Sequence, residues 1–441
     1  MLRRILYTII VSALVLSFTG TANAQQGGDG QVRTGTLYSK VGVGFPVDLG
    51  SSAADGMGLN GVSFIEPFVP GLANPAQWGS TSFGLATGGL SLQSFNASSN
   101  QGSTTNSTFS ADYFQVQLPL VRNKLGVSAS LAPLTRSAFQ VSETGSRITN
   151  DGTAVDTLNY SGENTSNGGV SMFEIGFGWR LNSTISVGYA PSLVFASIDN
   201  EFSTRFDNPA FSTVAFTRQT SGVGFGNRFG VMLNTSKILN ANDRISLGAT
   251  VSLPVNLDAE KIEKTDKRLA SGQVETIVLK DGPGLGDGSI RLPLSVNAGL
   301  TYEASRLFSI STEAIYEKWS QYSNDFNVDG EQLLTDRYKL GMGIRYFPYI
   351  IGSNRFLSKF KYRLGASYDT GHIKLEGENI ETLMFSFGLG ILSPRSRSSV
   401  DLSFEYGFRG TESQNLIKEN IWGLRLSVNL AELMFFRPKL Q

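Results

Sequence analysis

The stretch Val400-Asp-Leu-Ser-Phe-Glu-Tyr-Gly-Phe-Arg409 reads as a single β-strand with two unlike faces. Side chains along a strand alternate with a period of two, so Val400, Leu402, Phe404, Tyr406 and Phe408 share one face. Asp401, Ser403, Glu405, Gly407 and Arg409 share the other. One side is oily and the other wet. The same dyad recurs at 245–253, 338–346, 360–368 and 422–430.

Period two alone also describes a soluble sandwich. What separates the two is persistence. Segments of about nine to thirteen residues recur along the chain with glycine, serine and charge on one face and large apolar side chains on the other, the pattern of a wall with lipid outside and a lumen inside. Fourteen such segments can be marked, from 81–95 and 109–118 through 124–142 to 420–431. An even number suits a single-chain bacterial outer-membrane barrel. The expected architecture is therefore all-β, a fourteen-stranded antiparallel transmembrane β-barrel. Long connections fall at 96–108, 143–167, 199–215, 258–292, 320–334, 370–379 and 410–419, and mostly alternate with short ones. This places both barrel ends in the periplasm. Aromatic residues near strand ends, including Trp319, Tyr322, Tyr346 and Trp422, fit interfacial girdles.

Composition agrees. The chain has 49 glycines, 29 phenylalanines and 14 tyrosines, no cysteine, and 37 basic against 37 acidic residues. So even a charge balance gives no reason to propose nucleic acid. The chain opens with Arg3-Arg4, an apolar run to Phe18 and Ala22-Asn23-Ala24, which reads as a secretory signal peptide spanning 1–24. Residues 81–436 are then barrel and 437–441 a periplasmic tail.

Between signal and wall, residues 25–80 lack any period. Pro67, Pro70 and Pro75 deny the stretch from Gly61 a helix or an inner sheet position. Phe64, Phe68, Leu72 and Trp78 make it too apolar for water, and it cannot form a core of its own. It is expected to fill the barrel lumen as a plug, with those four residues and Phe83, at the start of the wall, as candidate hydrophobic ligand contacts. Inward-projected charges, namely Glu174, Arg180, Arg228, Glu313, Lys339, Arg345, Lys361, Arg363, Asp401, Glu405, Arg409 and Arg425, carry both signs and read as a network holding that plug.

Leu72-Ala73-Asn74-Pro75-Ala76 is similar to the Asn-Pro-Ala motif that FadL/TodX-type outer-membrane transporters of long-chain fatty acids and aromatic hydrocarbons carry in their N-terminal hatch. The small-residue stretch from Ser52 to Leu59 also resembles that hatch. A second Asn-Pro-Ala at Asn208-Pro209-Ala210 reads as a loop turn, so position makes the first informative. The resemblance implies passive uptake of a hydrophobic small molecule, with lateral exit to the bilayer where the third strand kinks. Pro133, inside that strand, cannot donate a ladder hydrogen bond and is the candidate for the gap, with Asn74, Pro75 and Ala76 behind it. Pro191 is a competing candidate. The implied surroundings are the bilayer, outer-leaflet lipopolysaccharide and the outer-membrane assembly machinery, with the chain a monomer. No cofactor, metal site or catalytic residue is expected.

Two rival classes remain. A porin or adhesin would share the wall, although a proline-rich plug argues against an open water pore. A membrane hydrolase would need a histidine, and His372, beside Asp369, is the only one. A lone loop histidine reads as solvated surface. Residues 280–288 combine glycines and carboxylates without the ligand spacing of a calcium loop.

Overall fold

The computed structural model describes residues 35–432 except 67, 101, 151–154, 209–213, 269–273, 328–332, 350–354 and 394–396. The expected signal peptide, the periplasmic tail and the turn at Pro209-Ala210 lie outside the described residues.

Fourteen antiparallel strands form the wall. They are β1 (Gly84–Ser99), β2 (Gly102–Val121), β3 (Leu125–Arg136 and Phe139–Asn150), β4 (Val155–Arg180), β5 (Ile185–Phe206) and β6 (Val214–Ser236). Then come β7 (Arg244–Ser252 and Val255–Arg268), β8 (Val274–Leu279, Gly286–Leu292 and Ser295–Glu303), β9 (Phe308–Glu317) and β10 (Arg337–Tyr346). The series ends with β11 (Phe360–Asp369), β12 (Thr382–Leu392), β13 (Ser399–Arg409) and β14 (Lys418–Glu432). Each strand pairs with its sequence neighbours, and β14 closes on β1 from Gly84↔Glu432 to Ser98↔Lys418. Closure satisfies every ladder amide within lipid, which an open sheet cannot do.

The faces divide as the sequence pattern requires. In β13, Ser399, Asp401, Ser403, Glu405 and Arg409 are buried, while Val400, Phe404, Tyr406 and Phe408 are exposed to the bilayer side. The barrel is an outer-membrane wall with a polar lumen.

The long connections depart from expectation. Residues 143–167, 199–215 and 258–292 were expected as loops, yet most of them continue the strands. β4 is 26 residues long, about 85 Å along its axis at ~3.3 Å per residue, against ten residues and about 33 Å for β11. The β3–β8 flank thus rises far above the lipid band and the β9–β13 flank does not. Prolines mark the level where the extension begins. Leu253-Pro254 interrupts β7 opposite Pro293-Leu294 in β8. Side-chain parity flips there: Leu247 and Leu253 point out below the break, and Val255 and Leu257 point in above it. A bulge with that effect lets an apolar inner surface continue above the lipid. Val170, Val194, Ile198, Leu257 and Ile290 form that surface, and Phe326 of an outer loop packs on it.

Candidate functional site

The described segment before β1 lies against inward-facing side chains. Its first described residue, Gly35, lies toward the outer strand ends, donating its amide to Ala138 O at 2.9 Å and accepting from Asn106 Nδ2 at 3.2 Å. Thr36 Oγ1 donates to Glu419 at 2.7 Å, and Tyr38 OH donates to Ile417 O. The chain then descends, and Trp78 ends beside Gly126 and Gly178 near the short turns.

Carboxylates on this segment meet cations on the wall all along the descent. Asp48 sits 2.7 Å from Lys339 and 3.1 Å from Arg337. Asp55 lies 3.2 Å from Arg425, which is also 3.4 Å from Glu405. Glu66 is held by Lys361 at 2.5 Å, Arg363 at 3.3 Å and Arg345 at 3.4 Å, and Arg363 reaches Asp401 at 2.8 Å. Elsewhere the wall supplies the acid: Glu313 accepts the amides of Asn60, Gly61 and Val62 at 3.2, 2.9 and 3.0 Å. Arg228, paired with Glu174 at 2.6 Å, donates to Ala73 O and Leu72 O. Arg409 pairs with Glu419. Arg180 alone leaves this group: it is the last residue of β4 and donates to Asn182 O and Ser183 O of the turn that follows.

Asn74 anchors the motif. Its Oδ1 accepts from Ala76 N at 3.0 Å, capping the short helical turn Pro75–Ser80, and its Nδ2 donates to Val62 O at 2.9 Å and to Val231 O on β6 at 3.1 Å. Pro75 occupies the first position of that turn, where its missing N–H costs nothing. The backbone comes so close to the wall that a Cβ on Gly188 would lie 2.3 Å from Pro75 C, and one on Gly230 would lie 2.2 Å from Asn74 Oδ1. The motif therefore sits behind β5 and β6 and not behind Pro133 as expected. Side-chain hydrogen bonding draws Asn74 to the β6 carbonyl.

What lies beside Pro133 is a different piece of chain. The β2–β3 ladder runs from Val121↔Leu125 to Phe114↔Leu131, and no further pair joins these strands among the described residues. Beyond that point β2 follows β1, while β3 follows β4 through an irregularity between Pro133 and Thr135. The freed edge of β3 is taken by the chain's own N-terminal segment. Phe45 pairs with Arg136 and Pro46 with Thr135, Val47 N donates to Leu134 O at 2.8 Å, and Thr135 Oγ1 donates to Val43 O at 2.6 Å. Arg136 spans the seam to Asp112 of β2 at 2.6 Å. Pro191 sits in a ladder position opposite Asn227, and on its other side the β4–β5 pairing lapses between Glu174↔Ser192 and Phe177↔Tyr189 and resumes in the same register.

Two cavities flank this segment. One, of about 150 Å³, is bordered by the charged Asp48, Asp55, Arg337, Lys339, Glu405 and Arg425. The other, of about 120 Å³, adjoins the seam and is bordered by Pro46, Val47, Leu49, Leu134, Val255 and Leu292. The five aromatic and aliphatic residues singled out from sequence line neither. Phe64 packs with Met57 and Leu59, Leu72 with Tyr113 and Ala132, and Trp78 is buried with Nε1 donating to Gly71 O at 2.6 Å. Phe68 and Phe83 meet edge to face at 5.1 Å.

His372 is not solvated. It is 1% exposed, clasped between Phe45 at 5.1 Å and Trp319 at 4.8 Å, and neither ring nitrogen has a hydrogen-bond partner. General-base catalysis needs a donor within hydrogen-bond reach, so this geometry offers a hydrolase nothing. Burial, reinforced by Arg337 and Arg409, holds its pKa well below the usual imidazole range. Trp319, expected in a lipid girdle, is likewise buried beneath it.

Comparison with known proteins accords with the architecture. The Pseudomonas putida toluene transporter TodX is 15% identical over 89% of this chain and 100% of its own, with a TM-score of 0.55. A Pseudomonas aeruginosa FadL homologue is 12% identical over 88% of this chain and 99% of its own, with a TM-score of 0.59. At such identities the likeness is one of fold, the FadL/TodX-type barrel. No curated protein matches the chain. The profile of the family described as BamG matches residues 1–441, and with the whole length covered the chain belongs to the BamG family.

Proposed function

We propose that this protein takes up small hydrophobic molecules by passive partitioning, and that the β2–β3 seam is its lateral exit, shut at rest by residues 43–47. The observation that carries the reading is the ladder ending at Phe114↔Leu131 with the β3 edge beyond it covered by the chain's own N-terminal segment, residues 43–47 at its centre. Capture falls to the apolar inner surface above the lipid band, where each methylene moved out of water gains ~0.8 kcal/mol. The cavity of about 120 Å³ beside the seam offers mainly apolar surface, with Asp48, Arg228 and Glu317 on its border. Two ladder positions and the hydrogen bonds of Val47 N to Leu134 O and Thr135 Oγ1 to Val43 O hold the covering segment to β3, a short run of contacts beside the β3–β4 ladder. The shared fold of the toluene transporter supports the class of cargo.

The chain has no cysteine, so a Pro46→Cys/Thr135→Cys pair gives a clean lock, and directly paired Cα atoms lie within disulfide reach. Uptake of radiolabelled toluene or oleate should stop when the pair is oxidised and return on reduction. Undiminished uptake through the oxidised barrel removes the seam from the route. Pro133→Val with unchanged uptake removes Pro133 from it.

A second reading, a sealed barrel that serves through its outer wall, is favoured by the ion pairs at Asp48, Asp55 and Glu66. It predicts no uptake difference between the wild-type and deletion strains.

A further inference from the structure

The short turns carry a repeated pattern that the transport reading does not use. In four of them a cation stands next to exposed apolar side chains: Trp179-Arg180-Leu181, Lys237-Ile238-Leu239, Arg306-Leu307-Phe308 and Arg355-Phe356-Leu357. The exposure is large, 74% for Leu239, 65% for Phe356 and 69% for Leu357. Lys124 adds a further cation beside the first group, since Arg180 N donates to Lys124 O. Opposing charge is scarce. Among the described residues at this rim the carboxylates are Asp243, Glu303 and Glu432. Asp243 is consumed by the amides of Ile238, Leu239 and Asn240, and Glu303 pairs with Arg244 at 2.7 Å. The outer extension is different, mixing both signs in pairs such as Arg218–Glu263 and Lys280–Glu260.

We infer that the periplasmic rim binds anionic phospholipid headgroups of the inner leaflet. A soluble acidic partner would explain the cations but leave Leu239, Phe356 and Leu357 bare in water. A lipid explains both halves of the pattern, because acyl chains cover the apolar residues while the headgroup phosphate meets the cation at the same depth. Arg180 is already braced by two carbonyls of its own turn, so its guanidinium is held at the interface next to Trp179. The inference does not depend on what crosses the barrel.

The test uses the full chain in phosphatidylethanolamine vesicles containing one-fifth phosphatidylglycerol, with either lipid brominated in turn to quench tryptophan. Trp179 reports the periplasmic rim, and Trp422, near the outer end of β14, serves as the internal reference. Brominated phosphatidylglycerol should quench Trp179 more than its bulk share allows, and 1 M salt should erase the excess. In Lys124→Gln/Arg180→Gln the preference should fall about five-fold per cation removed, with unchanged heat-modifiable gel mobility showing an intact barrel. Equal quenching by the two lipids in the wild type, or the same preference in the double variant, overturns the inference. Retention of an acidic periplasmic polypeptide by a rim without lipid preference overturns it too.

Discussion

Glu66 meets Lys361 at 2.5 Å, with both side chains 3% exposed, so an ion pair between the N-terminal segment and β11 sits in the lumen shielded from water. Arg345 and Arg363 complete a three-cation ring around the one carboxylate. Glu66→Gln should therefore strand buried positive charge, and breaking such a pair costs about 3–5 kcal/mol. The expected outcome is a folded barrel whose segment 35–83, rich in buried aromatic and leucine sites, becomes open to chymotrypsin, measured as cleavage rate with heat-modifiable mobility retained.

Asn74 ties the helical turn Pro75–Ser80 to β6 by hydrogen bonds, and Gly230 gives it room. Asn74→Ala should cost about 1–2 kcal/mol from the lost cap, with Val231 O left short of a donor. Gly230→Val puts carbon where Asn74 Oδ1 now lies, so a larger loss is expected, read as reduced assembly yield. An Asn74→Ala/Gly230→Ala double variant that recovers yield over a Gly230→Ala single variant would show that the two positions act through one contact.

His372 is held neutral by burial and by Arg337 and Arg409. The unfolded loop takes up a proton near pH 6.5 while the packed loop resists, so the contact with Phe45 is at full strength above that pH and weakens as pH falls below it. Proteolysis of the 370–381 loop should accelerate in acid. His372→Phe should abolish that acceleration and match or exceed wild-type stability at pH 8, because neither ring nitrogen has a partner to lose.

The β3–β4 hairpin above the lipid pairs Phe139–Asn150 with Val155–Ser166 and takes no part in the membrane ladder below. Replacing 142–163 by Asn-Gly should leave a heat-modifiable barrel with melting within a few degrees of wild type. Failure to assemble would show that the extension guides folding of the wall.

The wall was legible wherever lipid touches it. β12, β13 and β14 alternate because one face meets acyl chains and the other a polar lumen, and their limits follow the sequence pattern within a residue or two. The extensions were not. Above the bilayer both faces of Ser161–Asn167 meet water or polar neighbours, so nothing forces alternation and the stretch reads as loop. The parity change at Leu253-Pro254 hid the upper half of β7, Val255–Arg268, in the same way. Charges on the wall pointed to a network around the N-terminal segment, but which carboxylate meets which cation depends on contacts some 300 residues apart, as with Glu66 and Lys361. His372 carried no signal of burial, since Phe45 and Trp319 approach it only once the barrel has closed.

The uneven height of the rim gives the mouth a direction. The long β3–β8 flank stands as a hydrogen-bonded palisade above the lipid band, whereas β9 to β13 end near it. Molecules reaching the mouth meet polar ladder on one side and a low sill on the other. On the proposed uptake route, entry then runs across the sill, over the loop that carries His372, toward the greasy inner face of the palisade.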